Sequence, residues 1–154
     1  MNKNNKIICI FSIVAILLLI LASCGAAKQQ LSITEDEQSL FNKVEGDTIS
    51  IINEETEYEI IIIEPGFNIW LASIAKPEGY YSQNFLESRN QIMVLEWNNR
   101  VLQPLRYNPN LYELQIDYSR QIDYGYEVNY KLYNYFIYFQ RKYNQRLGPF
   151  VPRI

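Results

Sequence analysis

The run YGYEVNYKLYNYFIYFQRKY, residues 124–143, repeats its apolar and aromatic side chains on a helical period rather than an alternating one. At about 100° per residue, Val128, Leu132, Phe136, Phe139 and Tyr143 fall on one stripe. Tyr126, Tyr130, Tyr133 and Ile137 fall on a second, and Lys131, Asn134, Arg141 and Lys142 take the remaining side. Two apolar faces predict a helix contacted on two sides. The tyrosines suit a core boundary, ring inward and hydroxyl to water. Tyr126, Tyr130 and Tyr133 are also the candidate aromatic interface for a sugar or a peptide, because tyrosine is enriched at interfaces.

Working back from this helix, Ser82 is placed to cap a second long helix that ends near Leu102, before Pro104. Phe85, Leu86, Ile92, Met93 and Trp97 form its apolar stripe, with Arg89, Glu96 and Arg100 set into the same stripe. Charge on a buried face is costly unless paired. Glu96 and Arg100 have the favourable i,i+4 order. The three residues are therefore read either as a structural ion cluster or as an arginine-lined recess for a carboxylate or phosphate.

Earlier still, Phe67, Trp70, Leu71 and Ile74 have the spacing of a short helix after the turn Glu64-Pro65-Gly66, and Pro77 and Gly79 end it. Residues 47–52 and 57–63 are β-branched runs around Asn53-Glu54-Glu55-Thr56, the pattern of a β-hairpin. Tyr112, Leu114, Ile116 and Tyr118 alternate with polar residues and form a candidate third strand. Asp117 and Asp123 could share a cation through oxygen, but Asp123 better suits the start of the last helix. The expected fold class is α+β: a β-hairpin, with this third strand in reserve, packed by one short and two longer α-helices.

The N-terminal end speaks to place. Lys3 and Lys6 precede an apolar run over 7–20 that is too short to span about 30 Å of hydrocarbon, which takes about 20 apolar residues. Leu21-Ala22-Ser23-Cys24 after such a run resembles the lipobox of bacterial lipoproteins. The resemblance implies cleavage before Cys24, lipidation of Cys24 and anchoring by several acyl chains. It also implies outer-membrane delivery, since the residue after the cysteine is Gly25 and not Asp, with the domain facing the periplasm. The expected organisation is a lipoprotein signal peptide over 1–23, an acylated cysteine and flexible tether over 24–46, one domain over 47–147 and an extended tail over 148–154.

Composition narrows the chemistry. Of 14 basic residues, Lys3 and Lys6 leave with the signal, against 17 acidic ones, so nucleic acid is not an expected partner. The chain has no His, and of its two cysteines Cys9 leaves with the signal while Cys24 takes the lipid. Imidazole-dependent nucleophilic catalysis and the usual His or Cys zinc sites are thereby excluded. No catalytic residue, metal or cofactor is assigned.

Several pieces between Tyr58 and Leu147 resemble a family of short bacterial lipoproteins with a domain of unknown function. They are Pro65-Gly66-Phe67 with Trp70-Leu71, Tyr80-Tyr81-Ser82-Gln83 with Leu86-Glu87-Ser88, Glu96-Trp97-Asn98, and Asp123-Tyr124-Gly125 with Asn129-Tyr130-Lys131-Leu132-Tyr133. The resemblance implies a single lipid-anchored domain and brings no activity with it. The function expected first is non-enzymatic docking on another envelope component, through the aromatic helix and the proline-bearing tail. The alternative is a small ligand-binding module for a glycan or anionic fragment, using the Tyr-rich helix with Arg89 and Arg100. A glycoside-cleaving enzyme would need two carboxyls facing across a cleft, and the spacing of Glu87, Glu96, Glu113, Asp117, Asp123 and Glu127 selects no pair.

Overall fold

The computed structural model describes residues 31–43, 48–53 and 58–154, with backbone alone for 48–53 and 58–63. The expected signal peptide, Cys24 and the start of the expected tether lie outside the described residues. Leu31–Ile154 forms one compact unit.

Four helices organise that unit: α1, Glu35–Phe41; α2, Phe67–Ser73; α3, Gln83–Val101; and α4, Gly125–Lys142. This corrects the expected α+β class to a helical one. Every residue of the described core lies on these helices, on the segments joining them or on the tail, with α3 packed along α4 as the central contact. The only paired strands among the described residues are β1, Thr48–Asn53, and β2, Tyr58–Ile63. They are antiparallel, with Thr48 opposite Ile63 and Asn53 opposite Tyr58, and β1 runs alongside α4.

The candidate third strand over 112–118 forms no strand. Its backbone bonds to side chains of α3 instead. Asn98 accepts from Ile116 N at 2.8 Å and donates to Ile116 O at 2.9 Å, and Trp97 Nε1 donates to Leu114 O at 2.9 Å. One asparagine amide thus gives the two bonds a neighbouring strand would give, and the segment stays extended without a ladder.

The later part of the expected tether, residues 31–43, is folded. Thr34 caps α1, its hydroxyl accepting from Glu37 N at 3.2 Å, and Leu40 and Phe41 enter the core. In α3, Ser82 caps as its position predicts, accepting from Phe85 N at 3.3 Å. The buried face of α3 runs through Leu86, Asn90, Met93, Val94, Trp97 and Arg100, whereas Ile92, assigned to that stripe, is 38% exposed. The face is rotated so that Arg89 and Glu96 lie on its border.

Helix α4 is covered on nearly every side, including Asn134 and Arg141 from the side expected to be wet. Its aromatic residues build two clusters. Trp97 meets Tyr112, Phe136 and Phe139, and Tyr138 meets Phe41, Phe67 and Trp70 at ring separations of 5.2 to 5.5 Å. Such pairs contribute about 0.5–1.5 kcal/mol each beyond the area they bury.

Candidate functional site

The expected cluster of Arg89, Glu96 and Arg100 divides in two. Arg89 and Arg100 are about 16 Å apart along the helix axis at ~1.5 Å per residue, so no side chain on α3 can bridge them. Arg100 is closed. Its Nη2 is 2.7 Å from Glu96 Oε1, Nε donates to the same oxygen at 2.8 Å, Nη1 donates to Tyr112 Oη at 2.7 Å, and Nη2 also reaches Arg146 O. Burial alone would lower the Arg100 pKa, but the hydrogen bonds it donates to Glu96 and Tyr112 outweigh this and the net shift is upward. This group pins the 107–112 loop and the turn after α4 to the end of α3.

Arg89 is open. No ion pair or hydrogen bond to another described residue engages it. Its guanidinium carbon sits 3.4 Å from the ring centre of Phe150, on the tail, and 5.0 Å from that of Phe85. It borders a groove of about 390 Å³ between α3, α4 and residues 149–153. Tyr81 stacks on Phe85 at 4.7 Å, and Tyr133 meets both rings edge-on.

Of the three tyrosines of the candidate interface, Tyr130 and Tyr133 are buried and Tyr126 is half-buried. Tyr126 Oη accepts from Gly79 N at 2.6 Å, and Tyr130 Oη donates to Lys76 O at 2.8 Å, so both hold the turn after α2 against α4. Tyr133 is 7% exposed and forms the back of the Arg89 groove. Burial is the first cause of the raised pKa of Tyr130 and Tyr133.

Among the carboxylates, Glu87 and Asp123 are brought together, both accepting from Gln83 Nε2 at 2.8 Å beside a polar groove. Asp123 also accepts from Gly125 N at 2.9 Å, at the entry to α4. Glu96 and Glu127 are spent on Arg100 and Lys131. Among the described residues no group of three His, Cys, Asp or Glu could hold a metal ion.

Two ion pairs went unread in the sequence. Glu37, fully buried, receives Arg141 Nε on Oε1 and Arg141 Nη2 on Oε2, both at 2.5 Å, and Trp70 Nε1 on Oε1 at 3.0 Å. The remaining Arg141 donors reach Ser32 O at 2.8 Å and Pro152 O at 3.1 Å, so one guanidinium joins α1, α4 and both ends of the unit. Glu64 likewise receives Lys142 at 2.6 Å and Tyr143 Oη at 2.9 Å. The signal for the first was Thr34-x-x-Glu37, the capping-box spacing at the start of a helix.

The sequence pattern of the family of unknown function DUF6146 matches residues 11–151, and the chain belongs to that family. No curated protein and no solved structure matches it.

Proposed function

We propose that this member of the DUF6146 family is a lipid-anchored protein of the bacterial envelope, held in the outer membrane through Cys24 and facing the periplasm. Its helical body is a non-enzymatic domain that docks on another envelope component. The observation that carries the reading is the basic, apolar and Leu21-Ala22-Ser23-Cys24 succession at the N-terminus. No helix among the described residues is long and apolar enough to cross a membrane.

The geometry changes how such a body would be presented. Ser32 already bonds to Arg141, so only the residues between Cys24 and Ser32 remain as spacer. The eight Cα-to-Cα steps from Cys24 to Ser32 reach at most about 28 Å when fully extended. The docking face would therefore work close to the membrane surface. Tyr130 and Tyr133 are buried and the hydroxyls of Tyr126 and Tyr130 bond within the domain, which favours the tail over that row as the docking face.

The test is Cys24→Ala in intact cells, followed by membrane fractionation and crosslinking. The expected result is loss of lipid label and release from the membrane, with a heteromeric crosslink present only for the native chain. Continued lipid labelling of the variant would overturn the anchor, and native chains that crosslink to nothing but themselves would overturn the docking.

A further inference from the structure

Three arginines of the helical body contrast in how they are satisfied. Arg100 and Arg141 are each surrounded by acceptors, carboxylate and carbonyl, so that their forks are filled from within the chain. Among the described residues Arg89 has rings and no acceptor. Phe150 and Phe85 meet its guanidinium at 3.4 and 5.0 Å, and stacking of this kind leaves the N–H donors of the fork for another group. A half-buried cation with unused donors is costly unless water or a ligand completes it.

The surroundings decide what that ligand is. Among the described residues the groove is lined by Arg89 and Arg153 and by no Asp or Glu, although acidic residues outnumber basic ones in the chain. Tyr81, Phe85 and Tyr133 make one wall apolar. The opposite wall is the tail, which two hydrogen bonds hold to the body and to itself: Arg141 donates to Pro152 O at 3.1 Å and Arg146 Nη2 to Pro149 O at 2.5 Å. A groove formed in advance spares a ligand the cost of ordering it. Its volume, about 390 Å³, lies in the range of small-molecule sites.

We infer that the Arg89 groove is a binding site for a small organic anion. Its phosphate or carboxylate takes the Arg89 fork and its apolar body rests against Tyr81 and Phe85. The site differs from the recess expected in the sequence, which joined Arg89 to Arg100, and it does not depend on lipidation of Cys24.

The experiment titrates the full chain, purified in detergent, with phenyl phosphate, inorganic phosphate and phenol, and follows side-chain resonances by NMR. Phenyl phosphate should saturate a site with shifts at Tyr81, Phe85 and Ile137, while phosphate alone and phenol alone bind at least about tenfold more weakly, each lacking one of the two contacts. Arg89→Gln should weaken phenyl phosphate at least about tenfold with little change in thermal midpoint. Arg89→Lys keeps the charge and the stem but not the fork, so it should also lose affinity, and it decides the matter if the Gln variant folds poorly. No saturation up to about 10 mM, an affinity weaker than ordinary fragment binding, would overturn the site. So would unchanged binding in the Lys variant, or shifts confined to the Glu87 and Asp123 groove. The lipid anchor is read by a different measurement and stands or falls separately.

Discussion

Glu37 and Arg141 are both all but excluded from water, at 0% and 3% side-chain exposure, and among the described residues each is the other's only ion-pair partner. Removing one partner of such a pair strands the other and costs about 3–5 kcal/mol, whereas replacing both with apolar residues of similar volume is often neutral. Glu37→Gln should therefore lower unfolding free energy in urea by about 3 kcal/mol or more, and Glu37→Leu with Arg141→Met should recover much of that loss. A single variant within about 0.5 kcal/mol of the native chain would mean the pair is not buried as described. Periodicity could not have placed Arg141 here. It weighs residue types and puts a terminal Arg on the wet side of α4, while burial of that side depends on α1 and the tail, which are distant in sequence. Arg89 shows the converse. Its place on α3 was legible, but the groove it borders is completed by Phe150, sixty-one positions further on.

Elements whose signals are local were read correctly. The limits of α2, α3 and α4 follow from Gly66, from Ser82 and Pro104, and from the stripe over 124–143. Elements settled by competition were not. The alternation over 112–118 suits a strand, but Asn98 takes both polar groups of Ile116, and α1 hid in a polar stretch whose one apolar pair, Leu40 and Phe41, shows no period. Where α2 begins, Gly66 has φ of 83°, and a Cβ there would stand 2.3 Å from Leu40 O. Gly66→Ala combines left-handed strain of about 1–2 kcal/mol with a clash between α1 and α2. It should lower stability by at least about 2 kcal/mol by the same urea titration. The same change at Gly79, where φ is 82° but nothing lies within 4 Å, should cost only the strain. Equal losses at the two glycines would show that the approach of α1 to α2 is not tight.

For the whole molecule, the abundance of buried tyrosine sets an alkaline limit. Burial, then the nearby Glu87, pushes Tyr118 up to about 12. Burial also raises Tyr133, Tyr135, Tyr138 and Tyr143, with Glu64 adding to the last three. A phenol with a raised folded-state pKa contributes stability that is complete below its unfolded value of about 10 and is lost as pH rises through the folded value. Stability should fall steeply from pH ~10 upward, and phenolate absorbance should rise in one cooperative step with loss of helical circular dichroism. Full titration near pH 10 with the helices intact would contradict the burial.

At the same scale, the functional claim rests on the anchor at Cys24. The measurement that tests it most directly is the intact mass of the native chain extracted from the cell envelope. The account predicts a polypeptide beginning at Cys24 and carrying the added mass of a diacylglycerol thioether and an amide-linked acyl chain. A mass retaining residues 1–23, or one beginning at Cys24 without lipid, would contradict it.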